Sequence, residues 1–175
     1  ISLVNARLHA QIKERNERLK MLNDISKAIS STIEFSELLD MVVSFCLKIT
    51  QAETGYLFLC KSRTRKKQLQ FSDLECQSGL DHNGKKLKEL KISQSIIRKV
   101  LEEVAPLCLL DTQQDQEIAA QASVMALDLR SVMCIPILGE ENICFGVLYL
   151  SSQAVSYCFT SRDLSLMESL VRQVG

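Results

Sequence analysis

Residues 131–151 constrain this chain more than any other stretch. Ser131–Leu138 is largely apolar, Gly139-Glu140-Glu141-Asn142 makes a turn, and residues 143–151 return as a second apolar run. Two such runs around a short polar turn predict an antiparallel hairpin. Pro136 has no N–H to give to a ladder, so its strand needs a bulge or an unpaired position there.

The rest of the chain supplies elements to cover that hairpin. Residues 1–33 read as one long helix, with Leu8, Ile12, Leu19, Leu22, Ile29 and Ile33 at nearly alternating fours and threes. Arg15 and Ser26 interrupt the seam, which makes it an imperfect coiled coil. A second helix is predicted from Ser36, as N-cap, to about Thr50, with Glu37 at the positive end of its dipole. Its stripe is Leu38, Leu39, Val42, Phe45, Cys46 and Ile49. Gly55 releases the chain into residues 56–60, five apolar positions without alternation, hence a strand covered on both faces. Residues 69–76 read as a weaker strand whose phase changes near Ser72 and Asp73, as at a bulge or an edge.

Asp81-His82-Asn83-Gly84 is a turn. A third helix is expected over about 95–104, with Ile96, Ile97, Val100, Leu101 and Val104 on one side, and a short strand over 107–110 after Pro106. Ser123 opens a short helix to Asp128. Thr160-x-x-Asp163 has the form of a capping box before a last helix whose Leu164, Met167, Leu170, Val171 and Val174 face inward. Antiparallel strands with helices on their faces make the fold class α+β.

Composition removes several functions. Lys plus Arg and Asp plus Glu balance at 21 each, so the clustered positive charge that nucleic-acid binding needs is missing. The basic run at 61–67 is a solvated hairpin loop on this reading. No apolar stretch is long enough to span a bilayer and no signal peptide opens the chain. It starts at Ile1 rather than Met, as an excised piece of a longer protein would. The seven cysteines are odd in number and contain no C-x-x-C pair. Cys46, Cys60, Cys134 and Cys144 lie in apolar runs, so buried reduced thiols and a cytoplasmic location are expected.

Four stretches in register resemble the GAF family over roughly residues 20–175. They are Ser131-Val132-Met133-Cys134-Ile135-Pro136-Ile137, then Phe145-Gly146-Val147-Leu148-Tyr149-Leu150, then Phe159-Thr160 with Asp163, and the helix from Ile96 followed by Pro106 and Asp111. The resemblance implies a PAS-related central antiparallel sheet, with the terminal helices on one face and a lidded pocket on the other. The lid would comprise about 80–104 and 112–128. Gly146 in a buried strand lets a helix or ligand come close to the backbone. Val4-Asn5-Ala6-Arg7-Leu8-His9 resembles the closing helix of a preceding GAF domain. Residues 1–20 are therefore expected to be a connector helix from an upstream domain, with the GAF domain at 21–175, the second of a tandem in a bacterial-type signalling protein. An output domain is expected in the full-length chain.

The family's chemistries transfer unevenly. Cyclic-nucleotide-binding members carry an Asn-Lys…Phe…Asp-Glu motif, which aligns here with Ser152 and Gln153, Phe159, Asp163 and Leu164. Only Phe159 and Asp163 remain, and the lysine is lost. Haem needs an axial ligand, and the histidines are His9 in the connector and His82 in a polar turn. A bilin needs a reactive Cys, often beside a His, and no Cys-His pair occurs. Cys76 and Cys108 have no metal-ligand spacing, and the histidines do not suit a catalytic triad. No metal and no catalytic residue is assigned.

These readings converge on a non-catalytic sensor module. Its ligand, an unknown small molecule, is expected to meet Cys108, Asp111, Met125, Arg130, Cys134 and Tyr149. Leu8, Ile12, Leu19, Leu22, Ile29, Leu170 and Val174 are expected to form a homodimer through the terminal helices. The alternative is a structural dimerisation module whose pocket is filled by its own side chains.

Overall fold

The computed structural model describes residues 35–61, 68–115, 120–154 and 159–174. Residues 35–50 are helical (α1). The chain divides into two units, Ile1–Leu38 and Leu39–Gly175. The second unit continues through Thr54–Cys60 (β1), Leu74–Asp81 (β2), Gln94–Glu103 (α2), Leu107–Leu109 (β3) and Ala122–Ala126 (α3). Ser131–Leu138 (β4), Cys144–Ser152 (β5) and Ser161–Val174 (α4) complete it. The five strands form one antiparallel sheet in the order β2-β1-β5-β4-β3. The α+β expectation holds, and the predicted hairpin is β4 and β5, at the centre.

Pro136 finds the unpaired position it requires. It lies opposite Val147 of β5, while β3 reaches along the other edge of β4 only from Val132 to Cys134. The proline ring therefore sits beyond the end of its outer neighbour, where no ladder is broken. The bulge falls one residue later: Ile137 pairs with Gly146 and Leu138 with Cys144, so Phe145 is extra.

Alternation along the strands divides the core in two. Leu57, Met133, Ile135, Ile137, Leu148 and Leu150 point to the face covered by α1 and α4. Leu39, Val43, Cys46 and Leu47 of α1 and Met167 and Val171 of α4 meet them there. Tyr56, Phe58, Val132, Cys134, Val147 and Tyr149 point to the other face, under Ile96, Ile97, Val100 and Leu101 of α2 and Val124 of α3. Burying each large apolar side chain contributes about 1.5–3 kcal/mol. Residues 56–60 are accordingly strand with both faces covered, as expected.

Several local readings are corrected. Phe35 is already helical, so Ser36 lies inside α1 rather than capping it. The stripe expected on that helix is too broad: Leu39 and Cys46 are buried, whereas Leu38 and Phe45 are about half exposed, at 50% and 47%. Val43 and Leu47 take their place because the buried arc is centred one residue further round. Residues 69–73 are not strand. The Gln70 N–H donates to Asp73 Oδ2 at 3.0 Å and the Asp73 N–H to the Gln70 carbonyl at 3.0 Å, closing a 3-10 turn at Phe71–Asp73. β2 starts only at Leu74 and runs on to Asp81, with its register shift between Leu57 and Phe58 of β1. Val104 is not on the inward side of α2; it is the left-handed C-cap, with φ 50°, and 40% exposed. Ser123 lies within α3, whose N-cap is Gln121.

The predicted caps elsewhere are present. Asp81 Oδ1 accepts from the N–H groups of Asn83 and Lys85, both at 2.9 Å, and Gly84 has φ +79° in that turn. The Thr160 N–H donates to Asp163 Oδ2 at 2.8 Å and the Asp163 N–H to Thr160 Oγ1 at 3.1 Å, so the capping box is reciprocal. The basic run from 62 to 67, and residues 1–34 with their heptad-like seam, lie outside the described residues.

Asp40 ties α1 to the sheet edge. Its Oδ1 accepts from Ser78 Oγ at 2.7 Å and its Oδ2 lies 2.9 Å from Lys86 Nζ. Burial pushes this carboxyl up, but the hydrogen bonds from Lys86 and Ser78 and the lysine charge outweigh it and hold the group below its ordinary value of 3.8. A carboxylate so depressed stabilises the fold above that ordinary value, and the contribution is lost as pH falls below it. Lys86 is largely exposed, which screens the pair. Asp40→Asn should cost about 1 kcal/mol at pH 7 in urea melts, and the gap to the unsubstituted protein should close below pH 3.8.

Candidate functional site

The sheet face under α2 and α3 carries the polar groups. Tyr56 and Tyr149 are opposite one another on β1 and β5, with ring centroids 6.5 Å apart, and neither is exposed. Period-2 alternation puts both rings on this face. A buried phenol needs a partner for its hydroxyl, and the entry to α2 supplies both. Tyr56 donates to the Glu89 carbonyl and accepts from the Lys91 N–H, each at 3.1 Å. Tyr149 accepts from the Ser93 N–H at 3.1 Å. Ser93 in turn caps α2 by accepting from the Ile96 N–H. Two strand tyrosines thus hold residues 89–93 down on the sheet.

Burial pushes the Tyr149 phenol far up, beyond any working pH, so it stays neutral. Tyr149→Phe leaves the buried Ser93 N–H without its acceptor and should cost about 1–3 kcal/mol with no pH dependence between 5 and 9, read from denaturant midpoints.

The six expected pocket residues do not form one set. Cys134 and Tyr149 are register partners on this face and fully buried. Cys108 pairs with Met133 and packs against the opposite core, under α1 and α4, so it is separated from Cys134 by the sheet. Sequence reading could not decide the phase of a three-residue strand. Met125 is 68% exposed, on the outer side of α3. Asp111 Oδ1 accepts from the Gln113 N–H at 3.1 Å, which caps its own turn. Arg130 donates its backbone N–H to the Ser152 carbonyl, and its Nε lies 4.0 Å from Asp128 Oδ1. Missed by sequence reading were Tyr56 and Ser93, and also Thr112, buried and donating its hydroxyl to the Leu129 carbonyl. Only the apolar run around Tyr56 hinted at the first.

Thiol chemistry is suppressed at the centre of this face. Burial pushes the Cys134 thiol far above its ordinary value, and that of Cys46, in the other core, up to about 12. Thiols held protonated in this way are poor nucleophiles.

The loop after β5 is organised by Glu53. Its carboxylate accepts from Ser152 Oγ at 3.2 Å, the Gln153 N–H at 3.1 Å and the Ala154 N–H at 3.0 Å. Gln153 Nε2 donates to the Leu127 carbonyl at 2.6 Å. The two residues aligned with the cyclic-nucleotide Asn-Lys pair are therefore engaged in holding the β5 exit to the end of α3. A separate open groove of about 570 Å³ runs between the 68–72 turn and the flank of α2, lined in part by Phe71, Gln94 and Arg98. None of the six expected residues lines it.

A family description, GAF domain, matches residues 34–175. The chain belongs to the GAF domain family. No curated protein sequence matches it significantly. Among solved structures it is similar to the GAF domain region of a Geobacter sulfurreducens PCA protein, at 18% identity and TM-score 0.62, covering 85% of this chain and 95% of that one. It is also similar to the GAF domain of a phosphoenolpyruvate-protein phosphotransferase from Coxiella burnetii, at 18% identity and TM-score 0.52, with 89% of each chain covered. A far-red cyanobacteriochrome photoreceptor is similar at 17% identity and TM-score 0.51, covering 91% and 94%. At such identities the likeness extends to the fold, and fold does not fix function. GAF domains are generally non-catalytic regulatory modules of signalling proteins, and often dimerise beside output domains. Among the described residues no helix is long and apolar enough to cross a membrane.

Proposed function

We propose that this GAF domain is a cytoplasmic sensor that takes a small ligand on the α2/α3 face of its sheet and passes the change to its terminal helices in a homodimer. The observation that carries the reading is the unequal closure of the two faces. One is sealed by two long helices; the other is closed, among the described residues, by α2, by irregular segments that contribute Leu69, Ile92 and Leu129, and by a five-residue helix that buries Val124. Beside it Gln121 Oε1 is buried without a hydrogen-bond partner among the described residues, at a cost of about 1–3 kcal/mol that a ligand donor would relieve. Cys134, Tyr149 and Arg130 remain the candidate contacts, with Asp111 and Met125 at the margin.

Met41 and Phe45 on α1 and Leu166 on α4 are 66%, 47% and 44% exposed. Such apolar positions support pairing through the terminal helices. Of the residues expected to pair, Leu8, Ile12, Leu19, Leu22 and Ile29 lie outside the described residues, and Leu170 packs in part against the core under α4. A second reading, a structural dimeriser without a ligand, is favoured by the fully buried tyrosine pair, which already fills the middle of the face.

Native mass spectrometry on the gently purified chain separates the two readings. A dimer releasing a small molecule on denaturation supports the sensor. A bare dimer favours the structural module, and a bare monomer at high concentration contradicts both.

A further inference from the structure

The bulged end of β5 brings two cysteines together. Phe145 is the extra residue against β4, and β1 pairs with β5 as far as Leu59 against Gly146. The side chains follow the bulge: Leu59 and Phe145 both pack toward α1 and α4, whereas Cys60 and Cys144 both pack toward the α2 side. With Phe145 looped out, Cys60, one step past the last β1/β5 register pair, lies on the same face as Cys144 and near enough to act on it electrostatically, which fits a cross-strand neighbour. Cross-strand partners have Cα atoms about 4.5–5.5 Å apart, inside the about 4.4–6.8 Å that a disulfide spans.

Both cysteines are free and neither is fully buried, unlike Cys46 and Cys134. Sequence reading placed all four in the core. Cys144 Sγ donates to the Gly146 carbonyl at 3.3 Å. Burial pushes the Cys144 thiol up against the opposing hydrogen bonds with the Gly146 and Ile137 backbone, and the neighbouring Cys60 adds a smaller push in the same direction. The influence of Cys60 on Cys144 marks the two side chains as neighbours.

We propose that Cys60 and Cys144 form an oxidisable dithiol, a modification site whose oxidant is a low-molecular-weight disulfide. The Cys60 thiolate attacks one sulfur of the small disulfide, forming a mixed disulfide and expelling a thiolate that takes up a proton. Cys144 then loses its proton and attacks the Cys60 sulfur, which expels the second small thiol. Two S–H groups are oxidised, one S–S bond is exchanged for another, and two small thiols leave. The new bond staples the end of β1 to the bulge of β5. The inference stands independently of ligand binding on the α2/α3 face.

The test treats the folded chain with oxidised glutathione, blocks remaining thiols with iodoacetamide and maps the tryptic fragments without reduction. The expected product joins fragment 49–61 to fragment 131–162, with fragmentation placing the bond at Cys144 rather than Cys134 or Cys158. That linkage should be lost in Cys60→Ala and in Cys144→Ala and retained in Cys158→Ala. If a variant fails to fold, the map of the unsubstituted chain decides alone. Recovery of Cys60 and Cys144 as separate alkylated or glutathione-bearing residues overturns the proposal, as does linkage of either to another cysteine.

Discussion

Gly146→Ala should lose at least about 3 kcal/mol of stability, at or beyond the upper end of the usual overpacking penalty, and in a domain of this size it should approach loss of folding. A β-carbon on Gly146 would stand 2.3 Å from the Phe58 carbonyl oxygen, 2.9 Å from Leu59 Cδ2 and 3.2 Å from Ile137 Cδ1. The first contact is with backbone of a neighbouring strand, which cannot swing aside as a side-chain end can. Gly146 lies on β5, between β1 and β4, at the bulge, so moving it disturbs two ladders together. Gly139→Ala is the control. Its β-carbon would meet the Phe145 ring at 3.4 Å, an ordinary contact, and should change stability by no more than about 0.5 kcal/mol. Thermal melts of the two variants side by side give the comparison.

Met167→Ala should cost about 2–5 kcal/mol. Met167 is fully buried on α4, within the core that also holds Met133, Ile135 and Leu148 of the sheet. Truncation leaves a cavity between the helix proposed to carry the signal and the strands it rests on. Leu166→Ala, one residue earlier and 44% exposed, should stay within about 0.5 kcal/mol as a monomer. If the two variants lose the same stability in denaturant titrations, α4 is not seated on the sheet by the face described.

The long-range architecture was legible because it rests on apolar periodicity and a few turn residues. The 131–151 hairpin, the two-sided burial of residues 56–60 and the Thr160–Asp163 box each follow from local sequence and appear as read. The failures have a common physical source. A broad apolar stripe on α1 contains more candidates than one buried arc can hold, so Phe45 and Leu38 read as core although they are half exposed. A three-residue strand carries no alternation to phase it, and Cys108, a pocket candidate by sequence, packs against the core under α1 and α4. Residues 69–73 are apolar and polar in a strand-like order, but the Gln70–Asp73 hydrogen bonds close a turn instead. The tyrosine anchors were missed because their partners are backbone groups at 89–93, 33 to 56 residues away in sequence. Spacing does not record such bonds.

Amide hydrogen exchange tests the unequal closure of the two faces most directly. Val124 to Leu129 is held by a short helix and the Leu129 N–H to Val124 carbonyl bond of 3.3 Å, whereas Val147 to Leu150 lie in β5, between two strands and fully buried. Local opening should expose the first group without global unfolding, with exchange at least about 100-fold faster than in the second. Equal protection of the two segments would mean that the α3 side opens only when the domain unfolds, and would contradict a ligand entering there.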